Sequence, residues 1–212
     1  MGGGKMLTFA LSKGRLAEKI FKFLKDLNIC DISIKDSDRR LIVESEDGRF
    51  RFLLAKPSDV PTFVEHGICD LGVVGKDTIL EENRDITEVL DLGFGKCRMC
   101  VCAPQDNLDG YKAKSIVKVA TKYPSIAKRY FESIHQDSIV TKLNGSVELG
   151  PITGLSDVIV DIVESGRTLK ENGLEVAATI HELSARLVAN NASIKTKYDE
   201  INDIIKGFKS LL

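Results

Sequence analysis

Short apolar runs alternate along the chain with segments in which apolar residues recur at helical spacing. The first run, Leu7–Leu11, predicts a strand, and an amphipathic helix follows from about Arg15. The same pattern predicts further strands in 40–43, 50–55, 71–74, 96–103, 117–120, 139–143 and 158–163, with one or two more in 176–188. It predicts further helices in 57–66, 76–83, 124–134, 168–172 and 194–212, and a short one that opens at 145–149.

This alternation predicts an α/β fold with mostly parallel sheets, because strands joined through helices usually pair in parallel. Nine or ten strands are many for one sheet, so the pattern favours two lobes. The chain is expected to cross between the lobes near Lys96 and near Ile180. The expected division places residues 6–95 and 180–212 in one lobe and 96–179 in the other.

Composition and charge narrow the classes of function. The 212 residues carry 30 basic and 31 acidic side chains, so the net charge of -1 indicates no nucleic-acid binding, and any anion site must be local. No run of 18 apolar residues predicts a membrane helix, and the start of the chain lacks the pattern of a signal peptide. We interpret the glycine-rich segment 1–5 as a flexible tail or a cloning remnant.

Five cysteines in a chain without a secretory signal favour reduced thiols and a cytoplasmic location. Three of them, Cys97, Cys100 and Cys102, are close enough in sequence to suggest zinc. However, no second ligand pair follows at finger spacing, and on a strand Cys97 would face away from the other two. We therefore predict that the cysteines are small buried apolar residues.

The segment Val158–Leu169 carries the strongest chemical signal. A buried strand runs directly into the polar loop Glu164–Thr168, where a helix begins. Backbone N–H groups of residues 165–168 can converge on one phosphate, and the helix N-terminus adds a favourable dipole. Gly166 permits a positive φ angle or close approach of a ligand, and Thr168 adds a hydroxyl. The alternative is an ordinary strand–turn–helix corner capped by Thr168.

Two acids, Asp161 and Glu164, accompany this predicted anion site. Carboxylates beside a phosphate alone would be unfavourable. They are explained if the ligand also carries sugar hydroxyls, or if Mg²⁺ bridges a carboxylate to the ligand. Phosphate, ribose hydroxyls and magnesium together describe phosphoribosyl pyrophosphate, so the segment predicts a site for that phosphoribosyl donor.

Two cations and a glycine, Lys13, Gly14 and Arg15, lie where the first strand meets the first helix. The carboxyl ends of strands line the ligand crevice in an open α/β sheet, and cations there suit a polyphosphate. The alternative is a solvated helix start, although cations at a helix N-terminus oppose the macrodipole. Asp70 precedes a buried strand with Gly72. The sequence shows no P-loop, no Ser/His/Asp order and no metal-binding His pair.

Together, these segments resemble the ATP phosphoribosyltransferase family in its short form, over nearly the whole chain. Each stretch that carries the resemblance is weak alone, but their combination in this order is specific. The stretches are Ala10–Arg15, Asp38–Leu41, Ser58–Gly67, Cys69–Asp77, Ala120–Tyr123 and Gly145–Gly173.

The resemblance implies a two-lobed fold like that of the type II periplasmic binding proteins, with the active site in the cleft between the lobes. It implies transfer of the phosphoribosyl group to N1 of the adenine of ATP with release of pyrophosphate, the first step of histidine biosynthesis. It also implies a requirement for Mg²⁺, held through the substrate phosphates without a dedicated set of protein ligands.

The roles of family residues carry over to the matching positions. The loop residues implied to hold the 5′-phosphate and ribose are Asp161, Glu164, Ser165, Gly166, Arg167 and Thr168. Glu148 would lie beside the sugar, and Asp70 near the adenine. Lys13, next to Gly14, and Arg15 would contact the polyphosphates. Arg39 would reach the pyrophosphate, within the chain or across a dimer interface; Arg15 and Arg39 are the residues expected to be catalytic.

The short form also implies a regulatory partner, a catalytically inactive relative of histidyl-tRNA synthetase that confers feedback inhibition by histidine in a hetero-oligomer. Self-association into dimers is expected as well. One rival is a type I phosphoribosyltransferase acting on a purine base or orotate, but two adjacent acids usually precede its loop, whereas Ile162 follows Asp161 here. The other is a non-catalytic binding protein of the periplasmic type, which the missing signal peptide disfavours.

Overall fold

The chain divides into two compact units, and each contains its own sheet. The computed structural model describes residues 6–32 and 40–212. The predicted site residue Arg39 therefore lies outside the described residues, as do residues 1–5. One unit takes the chain up to Gly95 and again from Ser184 onwards, and the other is Lys96–Leu183.

The first stretch of chain forms most of the first unit. Its elements are β1 (Leu7–Ser12), α1 (Arg15–Asp26), β2 (Ile42–Glu44), β3 (Phe50–Ala55), α2 (Val60–Glu65), β4 (Leu71–Gly75), α3 (Lys76–Glu82) and β5 (Thr87–Asp91). A 3-10 turn at Pro57–Asp59 leads directly into α2. The predicted helix 57–66 is therefore two joined pieces.

The second unit begins with β6, and the chain then returns to complete the first unit. The second unit contains β6 (Cys97–Pro104), β7 (Ile116–Thr121), α4 (Pro124–Ser133), β8 (Asp137–Lys142), α5 (Leu149–Ile152), β9 (Val158–Val163), α6 (Arg167–Glu171) and β10 (Leu174–Leu183). The elements that return to the first unit are β11 (Ala185–Ala189), α7 (Ser193–Thr196) and α8 (Tyr198–Lys209).

The α/β class is confirmed, but both sheets are mixed rather than mostly parallel. The first sheet has the order β2-β3-β1-β4-β11-β5, with β1 parallel to β3 and β4 and the other neighbours antiparallel. The second has the order β10-β6-β9-β7-β8, with β7 parallel to β8 and β9, and β6 antiparallel to β9 and β10. Parallel pairing needs a crossover, whereas a short turn joins β2 to β3, and no helix separates β5 from β6 or β10 from β11.

Two elements differ from the predicted pattern. Strand β5 was not predicted, because it is an edge strand whose terminal residues, Thr87 and Asp91, are exposed and polar. The predicted final helix is divided at Lys197, whose φ of -132° and ψ of 40° are not helical. The ammonium of Lys197 donates instead to the Met6 carbonyl and to the Asp70 carboxylate.

The apolar faces predicted from periodicity form the cores. In the first unit, α1 buries its apolar side chains against the sheet, where the Phe52 ring contacts Phe9 at 5.4 Å and Phe21 at 5.0 Å between centroids. In the second unit, Cys100 and Cys102 lie fully buried in an apolar cluster, and burial raises the pKa of the Cys100 thiol. The predicted burial is confirmed for these two and for Cys69, but it is wrong for Cys30 and Cys97, which are only partly buried. Across the described residues, no helix has the length and apolar character needed to span a membrane.

Candidate functional site

Strand β9 ends at the predicted phosphate-binding loop, Glu164–Thr168, which lies wholly in the second unit. Gly166 has a φ of 72° and a ψ of 7°, the left-handed conformation that favours glycine, and α6 begins at the next residue. The backbone N–H of Arg167 donates to the Ser165 hydroxyl at 3.4 Å. The predicted strand, loop and helix are therefore all present, in the predicted order.

The loop presents backbone donors that the protein itself does not use. Within the described part of the chain, the N–H groups of Ser165, Gly166 and Thr168 donate to no protein acceptor. They border a cavity of about 330 Å³ lined by Glu148 and by residues 161–169. Unpaired N–H groups at the start of a helix favour an anion, so this geometry suits a phosphate.

Three carboxylates line the same cavity, and two of them, Asp161 and Glu148, are partly buried. Burial raises the pKa of the Asp161 carboxyl, and the nearby Glu148 carboxylate raises it further, whereas the Ile162 N–H and the Lys122 ammonium lower it. Neither acid forms a salt bridge among the described residues. Carboxylates placed in this way can accept hydrogen bonds from sugar hydroxyls, which offset the unfavourable burial of charge.

Most side chains of the loop Glu164–Thr168 are exposed to solvent. The Arg167 guanidinium pairs with Glu171 at 2.8 Å, and the side chain is 84% exposed. Glu164 and Thr168 are also exposed. The Arg167 guanidinium and backbone N–H thus both have protein partners, and the binding role of Arg167 stays a prediction.

The predicted cations of the first unit lie where β1 ends. Gly14 has a φ of 98°, and no atom lies within 4 Å of the position that a Cβ would occupy. Lys13 and Arg15 are exposed, and Arg15 is the first residue of α1. These side chains stand at the carboxyl end of a parallel strand, where α/β proteins commonly bind ligands.

Asp70 lies in a buried polar network of the first unit. Its Oδ1 accepts from the Ser193 hydroxyl at 2.7 Å, and its Oδ2 accepts from the Thr8 N–H at 2.9 Å and the Lys197 ammonium at 2.7 Å. Its side chain is 7% exposed. Because protein donors engage both oxygens, the structure favours a structural role for Asp70 over the predicted contact with adenine.

Sequence reasoning missed Lys197, Ser193 and Lys122. The first two reach Asp70 across 127 and 123 residues, and no local motif links such distant positions. Lys122 lies within the stretch Ala120–Tyr123 that carries the resemblance, but it was assigned no role. The available signal was a cation one residue beyond the end of a buried strand.

Comparison with known proteins shows the family of the chain. Residues 56–210 match the family model described as ATP phosphoribosyltransferase. The chain is 51% identical over 210 residues to an ATP phosphoribosyltransferase of Lachnospira eligens, covering 98% of this chain and 97% of the relative. It is 50% identical over 208 residues to one of Caldicellulosiruptor bescii, covering 98% and 99% of the two chains.

Two solved structures resemble the fold of this chain. The fold matches a chain of the ATP phosphoribosyl transferase (HisG:HisZ) complex from Thermotoga maritima with a TM-score of 0.82 and 34% identity, covering 97% and 98% of the two chains. A substrate binding protein of an amino acid ABC transporter matches with a TM-score of 0.56 and 12% identity, covering 97% and 93%. The second match shows a likeness of fold alone, whereas the first, with the family model and the relatives, covers sequence and structure together. The chain belongs to the ATP phosphoribosyltransferase family.

Proposed function

We propose that this chain transfers the phosphoribosyl group of phosphoribosyl pyrophosphate to N1 of the adenine of ATP, giving N1-(5-phosphoribosyl)-ATP and pyrophosphate. This is the first step of histidine biosynthesis. The observation that carries the proposal is the cavity of the second unit, where unused N–H groups of the loop lie beside Asp161 and Glu148. A phosphate and a polyhydroxylated sugar in one molecule satisfy both halves of that cavity.

The donor is held in two parts. The N–H groups of Ser165, Gly166 and Thr168 receive the 5′-phosphate, whose charge is favoured at the start of α6. Asp161 and Glu148 accept hydrogen bonds from the ribose hydroxyls. This arrangement fixes the direction of the sugar and therefore the position of its anomeric carbon.

The reaction needs alignment and charge neutralisation more than covalent help. N1 of adenine is an unprotonated nucleophile at neutral pH, so no strong general base is required. The remaining demands are to bring two polyanions together and to stabilise the departing pyrophosphate. Lys13 and Arg15, exposed at the end of β1, supply cations of this kind, and Arg39 is proposed to reach the pyrophosphate.

Magnesium fits this site as an ion that arrives with the substrate. Among the described residues, no group of three or more His, Cys, Asp or Glu side chains is placed to hold a metal ion. Asp161 and Glu148 offer the hard oxygen ligands that Mg²⁺ prefers, but only in combination with phosphate oxygens. When bound, Mg²⁺ neutralises negative charge on the diphosphate.

The assembly of the chain is part of the proposal. The matching structure from Thermotoga maritima is a complex of HisG with HisZ. We propose that this chain binds a regulatory partner resembling histidyl-tRNA synthetase, self-associates into dimers and works in the cytoplasm with its five cysteines reduced.

The test is to incubate the chain with ATP, phosphoribosyl pyrophosphate and Mg²⁺, with and without the regulatory partner. We expect the N1-phosphoribosyl adduct to form, seen by absorbance and identified by mass spectrometry. Adenine and orotate, the acceptors of the rival phosphoribosyltransferases, should give no product. Absence of the adduct both with and without the partner would contradict the proposal.

A further inference from the structure

Lys122 lies beside the predicted donor site on the same face of the second sheet. Strand β7 pairs in parallel with β9, and Thr121 is the register partner of Val160. Lys122 follows Thr121 just beyond the end of β7, and Asp161 follows Val160 within β9, so continuing the register places Lys122 beside Asp161 and on the same side of the sheet. The Lys122 ammonium correspondingly lowers the pKa of the Asp161 carboxyl.

The backbone that carries Lys122 is fixed on both sides. Thr121 is fully buried, and its hydroxyl donates to the Val160 carbonyl at 2.5 Å. The same hydroxyl accepts from the Tyr123 N–H at 2.8 Å. Since Thr121 and Tyr123 are both held, Lys122 is presented from a rigid position at the carboxyl end of β7.

Apart from its electrostatic attraction to the Asp161 carboxylate, the Lys122 ammonium has no protein partner among the described residues. It is exposed, and within residues 6–32 and 40–212 it forms no ion pair and no hydrogen bond. By contrast, Lys114 pairs with Asp157 at 2.6 Å and Lys112 pairs with Asp109 at 2.6 Å, both in the same unit. An unpaired cation at the rim of an anion cavity is available for a ligand.

We propose that Lys122 binds the diphosphate group of phosphoribosyl pyrophosphate, a role that rests on the proposed function. If the loop holds the 5′-phosphate and Asp161 holds the ribose hydroxyls, the anomeric carbon and its diphosphate extend past Asp161, away from the loop. Of the two strands next to β9, β6 places the buried Cys100 opposite Asp161, whereas the first residue beyond the end of β7 is Lys122. Lys122 thus neutralises part of the charge of the leaving group.

The test compares two ligands that differ only in the diphosphate. Binding of phosphoribosyl pyrophosphate and of ribose 5-phosphate is measured by calorimetry, in the presence of Mg²⁺, for the wild-type chain and for Lys122→Gln. We expect the substitution to weaken binding of phosphoribosyl pyrophosphate about tenfold or more and to leave binding of ribose 5-phosphate within about twofold. Lys122→Arg should restore most of the lost affinity.

Lys118 supplies a matched control. It is an exposed lysine of β7, four residues before Lys122, so its side chain is remote from the carboxyl end of the strand. Lys118→Gln should bind both ligands like the wild type, with thermal unfolding of all variants recorded alongside.

Two outcomes would overturn the role of Lys122. One is unchanged binding of phosphoribosyl pyrophosphate by Lys122→Gln; the other is an equal loss for both ligands, which would mean that Lys122 acts through Asp161 or the loop. Failure of the wild-type chain to bind either sugar phosphate would instead overturn the proposed function itself.

Discussion

Each unit shields an aspartate from solvent, the buried Asp70 just before β4 and the partly buried Asp161 within β9, but the surroundings of the two carboxylates are opposite. Asp70 accepts hydrogen bonds from Ser193, the Thr8 N–H and Lys197. Asp161 lies next to another acid, Glu148, and forms no salt bridge among the described residues. The first carboxylate stabilises its unit, whereas the second lowers the stability of its unit in the absence of a ligand.

The surroundings of a buried carboxylate distinguish a structural residue from a ligand-binding one, without comparison with related proteins. A buried charge whose partners are all supplied by the chain needs no ligand. A partly buried charge that lacks such partners is maintained at a cost, and a ligand that supplies hydrogen-bond donors accounts for it. This criterion favours Asp161 for the proposed donor site and a structural role for Asp70.

The largest expected effect is on activity, from Asp161→Asn. The amide keeps the shape but loses the charge that strengthens two hydrogen bonds to the ribose. We expect the kcat/KM for phosphoribosyl pyrophosphate to fall about 100-fold, and the unfolding temperature to stay the same or rise. Steady-state kinetics and calorimetric unfolding measure the two quantities.

An exposed acid on the same unit provides the control. Asp137 begins β8 and is solvent-exposed, so Asp137→Asn should change neither activity nor stability measurably. If Asp161→Asn instead unfolds the protein and Asp137→Asn does not, Asp161 is a structural residue like Asp70, and the contrast between the two units fails.

The next effect is on stability, from Asp70→Asn. The substitution leaves the partly buried Lys197 ammonium without its counter-charge, which is 2.7 Å away in the wild type. Loss of one partner from a buried pair costs about 3 kcal/mol of unfolding free energy, measured here by urea denaturation. Ser193→Ala removes one neutral donor from the same carboxylate and should cost about 1 kcal/mol.

The reverse result would restore the contact with adenine that the resemblance implies for Asp70. In that case Asp70→Asn would unfold at the wild-type urea concentration while its KM for ATP increased severalfold. The network around Asp70 would then be a ligand site that the protein closes when empty.

A smaller effect separates two glycines of the second unit that share a backbone conformation. Gly166 has a φ of 72° in the loop, and Gly173 has a φ of 69° just after α6. Alanine at either position should cost about 1 kcal/mol of stability, because an L residue is strained there. Only Gly166→Ala should also weaken binding of phosphoribosyl pyrophosphate, by about fivefold to tenfold, as the loop shifts. Equal affinities in the two variants would show that the loop geometry does not bind the donor.

The sequence predicts the elements of this site that have a local signal, and it does not predict those that depend on distant parts of the chain. The strand Val158–Val163, the loop and the helix after it were predicted because a continuous apolar run, a glycine and a hydroxyl are local signals. The edge strand β5 was not, because its exposed ends carry no apolar alternation. Glu148 was placed beside the sugar only through the resemblance, since residue spacing does not bring it near Asp161.

The partners of Asp70 show why long-range contacts could not be predicted from the sequence. The local sequence pattern of a carboxylate before a buried strand is the same whether its oxygens contact a ligand or a lysine. The fold resolves the ambiguity by bringing Lys197 and Ser193 from the C-terminal part of the chain to the start of β4. When the hydrogen-bond partners of a buried charge are distant in sequence, the topology of the fold brings them together, and the local sequence pattern does not indicate them.

The smallest expected effect is a pH dependence that belongs to Asp161 alone. Its pKa is raised in the folded chain above the ordinary value of 3.8, chiefly by burial. A carboxyl with a raised folded-state pKa binds its proton more tightly when folded, so its contribution to stability is fully present at low pH and is lost as the pH rises through the folded value. Wild type and Asp161→Asn should therefore have the same unfolding free energy below about pH 4, with the variant becoming the more stable as the pH rises to 7. Urea denaturation of both chains across this range isolates the contribution of Asp161 to the unfolding free energy, because every other titrating group is common to the two. A difference of the opposite sign would mean that the folded protein stabilises the Asp161 carboxylate, and that a ligand is not needed to explain its position.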